Sequence, residues 1–126
     1  MAKHNELGMT GEAVAVDYLL NNGYEIVDRN WRSGHKEIDI IAAKNGMLVI
    51  VEVKTRKNSQ YGNPEDAVTG RKIRRIVTAT DAYLRLKMID MQVRFDVITI
   101  LIKDNSVLSI EHIKDAFYAP IWWWTE

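Results

Sequence analysis

Apolar positions along the chain alternate between two periods, and the switch from one to the other divides it into elements. From about Leu7 to Asn22, Met9, Ala13, Val16 and Leu20 recur at helical spacing, and Asn21-Asn22-Gly23 is a stop of the kind helices favour. Tyr24 to Trp31 then reads as a short strand and Ser33-Gly34 as a turn. Two further strands, Glu37–Ala43 and Met47–Thr55, flank Lys44-Asn45-Gly46, and Asn-Gly in that setting signals a two-residue hairpin loop. The polar run from Lys57 to Asp66, with Gly62 and Pro64, predicts a loop. Beyond it, Ile73, Ile76, Val77, Thr80 and Leu84 mark the inward stripe of a second helix over roughly Val68–Lys87. Val93–Ile102 and Ser106–Ile113 read as the last strands, joined by Lys103-Asp104-Asn105. The order is αβββαββ. A helix between the third and fourth strands suits a right-handed crossover that sets them parallel, which predicts an α/β fold with a mixed β-sheet flanked by helices.

Composition narrows the class without naming an activity. A chain of 126 residues, 47% of them hydrophobic, is sized for one domain, expected to span 1–126 with an aromatic tail from about 118. Seventeen basic and seventeen acidic residues cancel, so a nucleic-acid partner must be argued from local clusters. With no cysteine, disulfide frameworks and thiolate zinc sites are excluded. No apolar N-terminal stretch suggests a signal peptide or membrane span, so a cytoplasmic protein with no membrane partner is expected.

The hairpin register carries the chemistry. If Asn45 and Gly46 form the loop, Lys44 pairs with Met47, Asp39 stands opposite Glu52, and Glu37 stands opposite Lys54. Directly opposed residues share a face with Cβ atoms about 5 Å apart, and like charges so placed are destabilising. The arrangement therefore invites a cation. Oxygen ligands without His or Cys suit a hard ion such as Mg²⁺, or Mn²⁺, whose use would be phosphate chemistry with Lys54 meeting the charge. The other reading is a half-solvated polar strand face in which Glu37 and Lys54 form a plain cross-strand ion pair.

An acid followed on the next strand by Glu-x-Lys, here Asp39, Glu52 and Lys54, is the pattern of the PD-(D/E)xK nuclease superfamily. More widely, the chain from about Gly8 to Phe117 resembles the bacterial UPF0102 (YraN) family, which is described as endonuclease-like with a restriction-endonuclease-like fold akin to archaeal Holliday junction resolvases. The resemblance rests on Gly11-Glu12 with Ala15, Tyr18-Leu19, Gly23-Tyr24, Arg29-Asn30-Trp31-Arg32, Glu37-Ile38-Asp39, Val51-Glu52-Val53-Lys54-Thr55-Arg56 and Arg94-Phe95-Asp96-Val97. It implies Asp39 and Glu52 as metal ligands, Lys54 as the catalytic lysine, Glu12 as a helix-borne acid completing the metal site, and branched or structured DNA as substrate. Read from its residues alone, Glu12 lies beside the helix's apolar stripe and is equally a surface glutamate. Glu37 is a supporting residue acting through Lys54, or simply its ion-pair partner. Lys36 stands where that family usually has glycine, which alters the backbone entering this strand. His35 beside it reads as an exposed histidine rather than a proton-transfer group.

Arg71, Lys72, Arg74 and Arg75 crowd the N-terminal half of the second helix, where cations oppose the helix dipole. With Arg56 and Lys57 they form a candidate rim for a nucleic-acid backbone, or a solvated helix face. Arg94 and Asp96 share a strand face and can pair with each other. The Ile121-Trp122-Trp123-Trp124 tail is expected to dock on the domain or on a second copy, consistent with a homodimer, rather than to stack on bases. A non-catalytic nucleic-acid-binding module and a protein-interaction domain using this tail are the rival readings to a nuclease.

Overall fold

The structure, a computed structural model, describes residues 10–57 and 69–119. The expected helix start at Leu7, the residues from 58 onward in the polar loop, the second helix's start at Val68 and the tryptophan tail lie outside the described residues.

Seven elements follow the expected order: α1 Gly11–Asn21, β1 Glu25–Ser33, β2 Lys36–Lys44, β3 Met47–Arg56, α2 Gly70–Lys87, β4 Gln92–Lys103 and β5 Ser106–Phe117. Both helices start on a threonine cap. Thr10 Oγ1 accepts from the Ala13 amide at 3.0 Å and Thr69 Oγ1 from the Lys72 amide at 3.2 Å, each satisfying one of the amides that a first helical turn leaves without a partner. The strands lie side by side in chain order as a five-stranded sheet. Asn45 and Gly46 both adopt positive φ, 52° and 76°, which is the turn that Asn-Gly favours, and Lys44 pairs with Met47 as expected. β3 and β4 run parallel, in register from Met47 against Gln92 to Arg56 against Leu101, with α2 as the crossover; all other neighbours are antiparallel. The mixed sheet flanked by helices is therefore borne out.

Two apolar layers sandwich the sheet. On the α2 side, Ile38, Ile41, Leu48, Ile50, Phe95 and Val97 meet Ile76, Val77 and Tyr83; on the α1 side, Ile40, Ala42, Val49, Val51, Ile98 and Ile100 meet Val14, Ala15 and Leu19. Strands buried on both faces need apolar residues at successive positions, which explains the unbroken run Leu48–Val51. The second helix turns its predicted residues Ile76, Val77 and Thr80 fully inward. The first does not follow its predicted stripe: it buries Gly11, Val14, Ala15 and Leu19 and leaves Leu20 52% exposed. Both stripes are apolar, so periodicity could not choose between them. Close contact chose. Gly11 lies so near β3 that a Cβ there would collide with Thr55 Oγ1, and this approach sets the rotation of the helix. β1 and β5 also run longer than predicted, to Ser33 and Phe117, which moves the first turn to Gly34-His35.

Behind the sheet centre sits a buried polar knot. Asp96, with no exposure, accepts both forks of the Arg94 guanidinium, Nε to Oδ1 at 2.9 Å and Nη2 to Oδ2 at 2.8 Å. His112 Nε2 lies 2.7 Å from Oδ2, the Asp115 amide donates to Oδ1 at 3.0 Å, and Arg94 Nη2 also reaches the Tyr24 hydroxyl at 2.8 Å. Tyr18 Oη lies 3.0 Å from His112 Nδ1, so the network is satisfied when His112 carries its proton on Nε2 and accepts from Tyr18. Burial alone would raise the carboxyl's pKa; the hydrogen bonds from His112, Arg94 and the Asp115 amide outweigh it and hold Asp96 below the usual range. The expected Arg94–Asp96 pair is present, and it ties β4 to β5, to α1 and to the start of β1.

Two stability measurements test these constraints. Gly11→Ala is expected to destabilise by about 1 kcal/mol despite alanine's better helix propensity, and to become neutral or stabilising in a Thr55→Ala background, in a double-mutant cycle by chemical denaturation. Asp96→Ala, which leaves Arg94 and His112 buried without their carboxylate, is expected to lose about 3–5 kcal/mol in the same assay.

Candidate functional site

The β2–β3 ladder pairs residues from Lys44/Met47 as far as Ile40/Val51. Where it would continue, the Val53 amide instead donates to Asp39 Oδ2 at 2.8 Å. The strand departs from simple alternation at this point, because Ile38 packs with the α2-side layer and Ile40 with the α1-side layer although they lie two residues apart. On β1, Asn30 falls between the pairs Arg29–Ile40 and Trp31–Ile38 and takes φ 51°. Asparagine tolerates that left-handed conformation better than most residues. The sheet thus opens at Asp39, and the N-terminal turns of both helices supply side chains to the opening.

Asp39 and Glu52 meet there, their carboxyl groups within hydrogen-bond reach. Burial first, then the charge of Glu52 and more weakly that of Glu12, push Asp39 up to about 7, against the opposing pull of the Val53 amide. Glu52 is only 5% exposed and has two ammonium neighbours: Lys72 Nζ at 2.7 Å and Lys54 Nζ at 3.7 Å from the same Oε2. Burial and then the adjacent Lys72 lower the pKa of Lys54. Burial acts to lower Lys72 as well, but its hydrogen bond to Glu52 prevails and raises it. The four groups form one electrostatic unit.

Glu12 comes from the first turn of α1, carried there by the Gly11–Thr55 approach. Its carboxyl is raised by burial, pulled down by Arg29, raised by Glu37 and hydrogen-bonded by Asn30, while its buried Oε2 finds no partner among the described residues. Thr99 Oγ1, on β4 beside Lys54 in the parallel register, is likewise buried without a partner. Orphaned oxygens are uncommon in folded proteins and call for a ligand, ion or water.

The predicted residues therefore divide. Asp39, Glu52 and Lys54 converge as the hairpin register implied, and Glu12 lies near enough to act on Asp39. Glu37 is a correction: the ladder ends before it could oppose Lys54, and its ion pair is with Arg32, Nε to Oε2 at 3.8 Å. Lys72, expected on the rim, has turned inward to Glu52, whereas Arg71, Arg74, Arg75 and Lys57 are exposed and Arg56 is half-buried. His35 is exposed in its turn, as expected. Roles for Asn30 and Thr99 were not foreseen; Thr99 becomes legible once β3 and β4 are aligned in parallel, whereas Asn30 appears in the sequence only within the Arg29-Asn30-Trp31-Arg32 motif, which does not say what it does.

All donors here are carboxylate or hydroxyl oxygens, a set that suits a hard divalent cation. Asp39 and Glu52 could hold one between them, and Glu12, whose Oε2 has no hydrogen-bond partner among the described residues, adds a further carboxylate near enough to act on Asp39. Among the described residues no three acid or imidazole groups already stand as a closed ligand set. A cavity of about 730 Å³ opens elsewhere, lined by Leu84, Ile89, Val93, Phe95 and Phe117, and contains none of these acids.

A family model described as "Uncharacterised protein family UPF0102" matches residues 11–100. The chain belongs to the UPF0102 family. A UPF0102 protein of Phocaeicola vulgatus is 56% identical over 122 residues, which cover 97% of this chain and 100% of that protein. One of Bacteroides fragilis is 57% identical over 121 residues, covering 96% and 99%, and one of Flavobacterium psychrophilum is 45% identical over 118 residues, covering 94% and 98%. The UPF0102 match encloses Glu12, Asn30, Asp39, Glu52, Lys54, Lys72 and Thr99, and stops short of His112. Among the described residues no helix is long and apolar enough to cross a membrane.

The Asp39 shift has a defined sign. Unfolded, Asp39 loses its proton near pH 3.9; folded, it keeps it to about 7. Between those values the native chain binds the extra proton, so stability falls as pH rises, by at most about 1.4 kcal/mol per pH unit for one group. Urea denaturation between pH 4.5 and 8 is expected to show this decline, and Asp39→Asn to flatten it.

Proposed function

We propose that this UPF0102 chain is a metal-dependent endonuclease that hydrolyses phosphodiester bonds in branched or otherwise structured DNA. The observation that carries the reading is the contact of the Asp39 and Glu52 carboxyls with Lys54 beside them. Two acids and an ammonium converging at a break in the sheet weaken the metal-free fold, which is the mark of a group arranged for chemistry rather than for packing. Resemblance to the PD-(D/E)xK pattern and to resolvase-like nucleases supplies the substrate class.

Asp39 and Glu52 would hold Mg²⁺ or Mn²⁺. When bound, such an ion acidifies a nearby water and takes up negative charge on the reacting phosphate. Lys54, held beside Glu52 on the same strand, faces that phosphate charge. Glu12 brings an uncommitted carboxylate oxygen to the same opening and Thr99 an uncommitted hydroxyl beside Lys54, each able to orient water or substrate. The exposed Arg71, Arg74, Arg75 and Lys57 offer phosphate contacts that position a nucleic-acid backbone without reading its sequence. A homodimer would suit symmetric cutting of a junction.

Labelled four-way junction, flap, duplex and single-stranded substrates incubated with Mg²⁺ or Mn²⁺ test the proposal. Cleavage of at least one is expected, falling about 100-fold or more in Asp39→Asn and Lys54→Ala chains whose circular dichroism is unchanged. Cleavage that survives both substitutions, or none by the native chain, would sink it. Binding without cleavage would favour the non-catalytic module.

A further inference from the structure

Lys72 is the feature of the site that its helix does not explain. It lies in the first turn of α2, where the backbone dipole disfavours a cation, yet its ammonium makes the closest ion pair to Glu52, 2.7 Å against 3.7 Å for Lys54. Glu52 is almost fully enclosed, so its charge must be met by a cation rather than by water. Lys72 meets it.

We propose that Lys72 competes with a divalent cation for Glu52 and, once displaced, becomes a contact for substrate phosphate. This rests on the metal-dependent reading above. The charge count carries the first half. Asp39 and Glu52, with Glu12 near enough to act on Asp39, bring at most three negative charges, of which Lys54 and Lys72 offset two; a divalent ion on these carboxylates turns the opening net positive and needs the Glu52 oxygen that Lys72 already holds at 2.7 Å, so one ammonium must move away. Lys54 is held by β3, the strand that also bears Glu52, and its side chain is 26% exposed. Lys72 belongs to a separate element, and its side chain is 41% exposed on a long flexible stem, so it can turn outward without unpacking the core. The second half follows from where it would go. Outward from Lys72 lies the face that carries exposed Arg71, Arg74 and Arg75, the surface best suited to phosphate. Metal occupancy and DNA affinity are thereby coupled through one side chain: the ion frees a cation, and the cation holds the substrate.

Calorimetry with Mn²⁺ alone, on the full chain without DNA, tests the competition. Lys72→Met is expected to bind Mn²⁺ about three- to tenfold more tightly than the native chain, in line with removal of one partly exposed competing ion pair, and Lys72→Arg to bind no more tightly than the native chain. With Mn²⁺ replaced by Ca²⁺ to slow cutting, Lys72→Met is expected to bind a four-way junction about three- to tenfold more weakly, with Lys72→Arg restoring affinity. Thermal melts accompany each chain, and the arginine variant keeps the test valid if the methionine variant folds poorly. Native Mn²⁺ binding that is lost in Asp39→Asn but unchanged or weakened in Lys72→Met would overturn the role of Lys72 alone. Mn²⁺ binding absent from every chain, or indifferent to Asp39→Asn, would overturn the metal-dependent reading and this inference with it.

Discussion

Two carboxylates cannot stand charged side by side in a half-buried opening unless something positive answers them. Asp39 and Glu52 are placed in that position, and the surrounding groups read as responses to it: Asp39 retains its proton to about 7, Glu52 draws Lys72 to 2.7 Å, and Lys54 stands 3.7 Å from the same Glu52 oxygen. A fold seeking stability alone would replace the pair with apolar residues, since such burial rarely repays its desolvation. Under the proposed function, the pair concentrates negative charge for chemistry, and its oxygen-only donor set would suit a hard cation.

Holding such a pair requires a frame stronger than the repulsion within it. β2 and β3 are apolar on both faces up to Ile40 and Val51, and the ladder releases only beyond those residues. The Val53 amide then fixes Asp39, Asn30 takes a left-handed turn against it, and Gly11 lets α1 close onto Thr55 so that Glu12 enters the same opening. On the α1 face of the sheet, Asp96 binds Arg94, His112 and the Asp115 amide without exposure to solvent. The contrast between buried Asp96 and half-buried Asp39 is instructive. Asp96 has its full complement of donors and is held below the usual carboxylate range; Asp39 has one amide and two acidic neighbours and is held above it. One carboxylate is fully answered by its donors, and the other is not.

Much of this was legible in the residues. The Asn45-Gly46 turn dictated a two-residue hairpin, and counting back from it aligned Asp39 with Glu52 without any coordinates, because an antiparallel register is set by its loop. The same counting failed for Glu37 and Lys54. It assumes a regular ladder, and this one ends at the acids. Rotation of α1 was equally out of reach, since Val14, Ala15 and Leu19 are as apolar as the alternative Ala13, Val16 and Leu20, and the choice was made by a glycine meeting a strand that lies 44 positions further along the chain (Gly11 and Thr55).

What the sequence alone determined is what depends on neighbours along the chain: element order, the hairpin turn, the alternation that buries a strand, and the candidate acids Asp39 and Glu52. Which of several cations answers those acids was decided only in three dimensions. Arg71, Lys72, Arg74 and Arg75 read alike as a basic run, yet Lys72 alone has turned inward onto Glu52 while the other three are exposed. Helical rotation, the parallel pairing of β3 with β4 and the enclosure of Glu52 together make that selection, and each arises from contacts between residues far apart in the chain, where local periodicity carries no information.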